Sequence, residues 1–220
     1  MKKTRTRWLA WLLVGVLLIS SLPTAALAVS TEDAGGTPDA SAAFSDVGSG
    51  DWYYDAVQFV YEHGLMNGTS KTTFSPQRTT TRGMIVTILH RMEGEPSAAA
   101  AVFSDLAETS YCGAAVAWAA QNGIVTGYDD GTFRPNALIT RQQLAAILYR
   151  YVIWKGRSDS AEAAELARFE DAEKVAAYAR EAFSWAVGTG IILGTVTNTL
   201  SPSGNATRAQ VAVILTRLSG

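Results

Sequence analysis

The 220-residue chain is 48% hydrophobic and 17% charged, with a formal net charge of −2. A slightly acidic balance excludes a nucleic-acid binder built on a basic face, because such a face must displace counterions from phosphates. The single cysteine, Cys112, excludes an internal disulfide, and nothing around it in sequence supplies the partner that a metal or nucleophile role needs. It is expected to be a small, semi-buried residue.

Residues 1–28 read as a secretory signal peptide. Lys2, Lys3, Arg5 and Arg7 form a basic start, Trp8 to Ile19 is apolar, and Ala26-Leu27-Ala28 is a small-residue cleavage site. The apolar run is short of the ~20 residues that span a bilayer, and Ser20, Ser21, Pro23 and Thr24 break it. Contact with a membrane is therefore expected only in transit. Removing the four basic residues leaves fourteen Lys/Arg against twenty Asp/Glu, a net of −6. Roughly 190 residues remain, enough to bury a stable core without disulfides. Residues 29–43 lack large apolar side chains after Val29 and are expected to form a flexible leader.

From Phe44 onward the chain repeats itself. Phe44-Ser45-Asp46 returns as Phe103-Ser104-Asp105 and Phe169-Glu170-Asp171, giving units at 44–94, 103–154 and 169–220, with 155–168 as a linker. Each unit opens with a predicted helix. In unit one Asp51 is the expected N-cap for Trp52 to His63, with Trp52, Ala56, Phe59 and Val60 at helical spacing. The equivalents are Tyr111, Ala115, Trp118 and Ala119, then Tyr178, Ala182, Trp185 and Ala186, most of them expected to face the core. Gly64, Gly123 and Gly190 suit a left-handed helix stop.

A loop follows, with second glycines at Gly68, Gly127 and Gly194, and then Phe74-Ser75-Pro76, Phe133-Arg134-Pro135 or Leu200-Ser201-Pro202. The large apolar residue should plug the core while proline shapes the turn. Tyr128-Asp129-Asp130-Gly131 reads as a turn, since its oxygens do not alternate as a calcium loop requires. A second helix starts at Thr81-Arg82, Thr140-Arg141 or Thr207-Arg208. Its buried face is Ile85, Ile88 and Leu89 in unit one. The counterparts are Leu144, Ile147, Leu148 and Tyr151, and then Val211, Ile214, Leu215 and Leu218. Ser160 to Leu166 in the linker is expected to add a helical turn or two. The fold class predicted is all-α, in three helix-loop-helix units.

The Thr-Arg phrase carries the chemistry. Thr81, Thr140 and Thr207 are natural N-caps, and Gln143 and Gln210 complete capping boxes, whereas unit one has Met84 there. Arginine is the anomaly, because a cation at a helix start opposes the helix dipole. Two reasons stay open: a buried pair with Asp46, Asp105 or Asp171, or an external anion held by helix-start amides and guanidinium together.

These motifs resemble the S-layer homology (SLH) domain of bacterial cell-surface proteins, from Phe44 to Leu218. Unit two carries the fullest likeness, with Gly123-Ile124-Val125-Thr126-Gly127-Tyr128-Asp129-Asp130-Gly131-Thr132-Phe133-Arg134-Pro135 and Ile139-Thr140-Arg141. The resemblance implies a pseudo-threefold bundle whose inter-unit grooves bind secondary cell-wall polysaccharide, often through a pyruvate ketal. By position, the family's ligand-contacting arginine is Arg82, Arg141 and Arg208. Groove partners would be Asp46, Asp105 and Asp171 and the glycines Gly68, Gly127 and Gly194. The family's motif glutamate is Met84, Gln143 and Gln210 here. Unit three departs further, with Thr195 to Thr199 and Leu200, so the groove involving Arg141 is expected to lead.

An adaptor or self-assembling surface protein is the alternative, in which other surface proteins are the partners. No cofactor or metal is called for. An enzyme is not expected, since no acid pair outside Phe-x-Asp repeats, and His63 and His90 lack counterparts. The location implied is the wall or surface of a bacterium. No cargo domain is legible in the chain, which leaves a stand-alone wall binder, an adaptor and a truncated reading frame all open.

Overall fold

The computed structural model describes residues 39–99, 103–107, 109–157, 166–195 and 197–220. The signal peptide, most of the leader and Ser160 to Glu165 lie outside the described residues. Among these residues there are seven α-helices: α1 (Ala40–Ala43), α2 (Tyr54–Glu62), α3 (Arg82–Met92), α4 (Gly113–Gln121), α5 (Arg141–Trp154), α6 (Arg180–Gly188) and α7 (Arg208–Ser219). Three isolated antiparallel bridges are the only β pairings among them. No described helix is long and apolar enough to cross a membrane.

Each unit contributes a first and a second helix, but these do not pair within the unit. The second helix of one unit packs on the first of the next: α3 on α4, α5 on α6, and α7 back on α2. A single polypeptide thus closes a three-membered ring. At its centre, Thr80 donates to the Ala206 carbonyl at 2.9 Å, Ala206 to Ile139 at 3.1 Å, and Ile139 to Thr80 at 2.9 Å. This cycle of backbone bonds is possible because one extended residue precedes each threonine cap. Glu93 at the end of α3 ties unit one to unit two, accepting from Tyr151 Oη at 2.5 Å and Lys155 Nζ at 2.9 Å.

Local sequence chemistry accounts for most element ends. Thr81, Thr140 and Thr207 accept from the amides of Met84, Gln143 and Gln210, and units two and three have complete capping boxes. Gly64, Gly123 and Gly190 adopt φ of +64°, +69° and +73°, the left-handed stop expected of them. Phe74, Phe133 and Leu200 are wholly buried, and the predicted faces of the second helices are buried.

Three expectations change. Asp51 does not cap α2: its carboxylate accepts from Gly48 N, the helix begins at Tyr54, and Tyr53 occupies the cap without a side-chain bond. Residues Ala40–Ala43 are helical rather than flexible, because Asp39 caps them and Gln58 accepts from Ala40 N. Of the linker's predicted helical stretch, only Leu166 is described, at the start of a 3-10 turn over Leu166–Arg168. Cys112 is fully buried, not semi-buried.

Thr80 Oγ1 is buried in the central ring without a hydrogen-bond partner among the described residues. An unsatisfied buried hydroxyl costs stability that an isosteric methyl does not. Thr80→Val should therefore raise the unfolding free energy by about 1 kcal/mol in urea titrations.

Candidate functional site

The three Phe-x-Pro turns share a backbone oddity. Ser75, Arg134 and Ser201, each directly before proline, have φ of +58°, +58° and +49°. Left-handed backbone is strained for these residue types, and the position before proline is normally extended. An aspartate from the same unit holds each turn in place. Asp46 accepts from the amides of Phe74 and Ser75, both at 2.7 Å. Asp105 does the same for Phe133 and Arg134, and Asp171 for Leu200 and Ser201.

The carbonyl of the residue just before each strained one receives the arginine of the neighbouring unit. Arg82 Nε donates to Phe133 O at 3.0 Å, Arg141 Nε to Leu200 O at 2.7 Å, and Arg208 Nε to Phe74 O at 2.8 Å. The helix-start amides are also engaged. Arg82 N and Gly83 N donate to Ala137 O and Pro135 O, and both other units repeat this arrangement with Gly204, Pro202, Arg78 and Pro76. So the aspartates do not pair directly with the arginines, and the first helical amides are not open to an anion. Aspartate and arginine instead grip opposite sides of one peptide segment, and the ring of carbonyls offsets the helix dipole that made arginine anomalous.

Burial pushes the pKa of all three arginines down, Arg208 to about 10, with Arg78 acting in the same direction there. They remain cationic at neutral pH.

The three guanidiniums end differently. Arg141 Nη2 donates to Leu193 O at 2.9 Å, and Arg208 Nη2 to Asn67 O at 2.5 Å. The Nη atoms of Arg82 have no hydrogen bond to the protein among the described residues. Its guanidinium lies over Tyr128, 4.8 Å from the ring centroid, and over Phe133 at 4.7 Å. Tyr128 stands where units one and three have Thr69 and Thr195, so only this arginine gains a second aromatic face. Arg134 covers Tyr128 at 4.1 Å while bound to Asp130, and Gln143 Nε2 donates to Tyr128 Oη.

Arg82 opens on a groove of about 560 Å³. Unit two supplies the loop with Gly127, Tyr128 and Asp129 and the α5 face with Gln143 and Arg150, while Tyr178 comes from unit three. The groove thus uses the expected unit-two loop, but its arginine is Arg82 and not Arg141. Gly127 is the one predicted loop glycine in this lining. Gly68, Gly127 and Gly194 each lie under the ring of Phe44, Phe103 or Phe169, where a Cβ would come within 2.7, 2.4 and 2.4 Å of a ring carbon. Their immediate job is packing.

Trp52, Tyr111 and Tyr178, equivalent positions in the three units, are 66%, 61% and 55% exposed and do not face the core. They precede their helices, so helical spacing misassigned them. Arg150 was also missed, although Arg91, Arg150 and Arg217 each stand nine residues after a Thr-Arg arginine. No group of three or more metal-ligating side chains occurs among the described residues.

The differing arginine networks are measurable. Arg141→Met should cost about 2–4 kcal/mol in urea unfolding, because two carbonyls lose their donor, and Arg82→Met about half as much.

The S-layer homology domain model matches residues 43–83, 102–145 and 168–212. An endoglucanase of Bacillus sp. (strain KSM-635) is 33% identical over 80% of this chain and 18% of its own length. The surface-layer 125 kDa protein of Lysinibacillus sphaericus is 30% identical over 74% of this chain and 14% of its own. The cellulosome-anchoring protein of Acetivibrio thermocellus is 24% identical over 71% and 36%. The chain thus matches a minor part of each of these relatives. With three matched copies, each built on the same aspartate, turn and arginine, the chain belongs to the S-layer homology domain family.

Proposed function

We propose that this protein is a non-covalent cell-surface anchoring module that holds an acidic, pyruvylated secondary cell-wall polysaccharide in the groove headed by Arg82. The observation that carries the reading is a buried guanidinium whose outer nitrogens face a groove instead of a protein acceptor, in an acidic chain. Such nitrogens suit a carboxylate. Tyr178 in the lining offers an exposed face on which a sugar ring can lie, and Gln143 and Asp129 offer partners for hydroxyls. Relatives named as a surface-layer protein and a cellulosome-anchoring protein support placement at the bacterial surface, after export directed by residues 1–28. Neither an enzyme active site nor a cofactor is part of this reading.

Sedimentation with purified sacculi tests it. The protein should pellet with sacculi that retain their polysaccharide, less so after acid removal of pyruvate ketals, and about tenfold less as Arg82→Gln. Equal binding in all three cases overturns the reading. Because the arginine stays charged, pH should act through the ligand's carboxylate. Binding is expected to be level from pH 6 to 8 and to fall below about pH 4 as that acid protonates.

Exposed apolar residues, Trp52, Leu138, Ile153 and Leu193, favour a second reading as an adaptor or self-assembling surface protein. Concentration-dependent sedimentation velocity separates the two, since a glycan binder without self-association stays monomeric.

A further inference from the structure

The groove holds a second cation that the repeat pattern explains only in the other units. Arg91 Nη1 donates to Leu65 O at 3.2 Å, and Arg217 Nη1 to Ile191 O at 3.5 Å, so each braces the loop of its own unit. Arg150 occupies the same position in unit two, yet it forms no hydrogen bond or ion pair to the protein among the described residues and lines the groove instead. The same exception holds for Arg82 against Arg141 and Arg208. Both exceptions fall in one groove.

We infer that Arg150 is a second anion-recognising side chain, acting with Arg82, and that this groove alone of the three takes the ligand, an acidic glycan segment carrying two anionic groups. The inference rests on the anchoring reading above. Among the described residues, two guanidiniums without a carboxylate bonded to them line one cleft, in which Asp129 is the one carboxylate. A ligand with a pair of acidic groups supplies a partner to each, and one with a single acidic group supplies only one. Both arginines also lie near enough to Tyr178 to act on its phenol, whose pKa is raised chiefly by burial and opposed by Arg82 and Arg150. Tyr178 therefore stays protonated and neutral, a hydroxyl donor in the same lining as both arginines. The other two grooves lack this arrangement. Arg141 and Arg208 are tied to loop carbonyls, and Arg217 and Arg91 likewise.

The same sacculi serve as the probe, with affinity and melting temperature read for each variant. Arg150→Gln should weaken binding about tenfold with an unchanged melting temperature, and Arg150→Lys should recover part of the loss. Arg91→Gln and Arg217→Gln should do the reverse, lowering the melting temperature and leaving binding alone. The double variant Arg82→Gln/Arg150→Gln should abolish binding. Wild-type binding that ignores the polysaccharide overturns the anchoring reading and this inference with it. Binding that is lost in Arg82→Gln but untouched in Arg150→Gln overturns the inference alone, as does substantial binding by the double variant.

Discussion

The structure depends on one repeated clamp between units. A strained, left-handed residue before proline is held by an aspartate of its own unit and by an arginine of the neighbouring one. Neither side suffices alone. Aspartate fixes two amides but leaves the carbonyl, and arginine satisfies the carbonyl but needs the turn already shaped to reach it. Because each arginine reaches the next unit, the clamp also welds the ring. The backbone strain, of order 1–3 kcal/mol per turn, is tolerated because charged hydrogen bonds on both sides outweigh it.

That clamp explains why the units are not interchangeable despite a shared plan. The guanidinium must donate Nε inward, so function can use only what its outer nitrogens do. In two units one of them bonds a loop carbonyl. In the third, the guanidinium lies over two aromatic rings, and its outer nitrogens bond no protein group among the described residues. One substitution, tyrosine where the others have threonine, accompanies this change in the guanidinium's surroundings.

Much of this was legible in the sequence, for local reasons. The threonine caps, capping boxes, glycine stops and buried second-helix faces follow from short-range chemistry that operates within one turn of chain. The absence of Gln at Met84 correctly marks unit one's box as incomplete. Asp51 failed as a cap because a nearby turn, through Gly48 N, competes for the same carboxylate. Trp52, Tyr111 and Tyr178 failed because a helix pattern was extended past the true helix start.

By itself the sequence determined three helix-loop-helix units, where each second helix starts, and which residue types recur at the joints. Only the tertiary structure decided what those residues touch. The arginines' acceptors are backbone carbonyls of the following unit, and backbone carbonyls leave no mark in a sequence. For the same reason Arg141, in the unit with the fullest motif, is bonded to two carbonyls of unit three, and Arg82, in a less regular unit, opens on the groove. Ring closure sets each arginine against its neighbour's loop, so the character of a groove belongs to more than one unit at once.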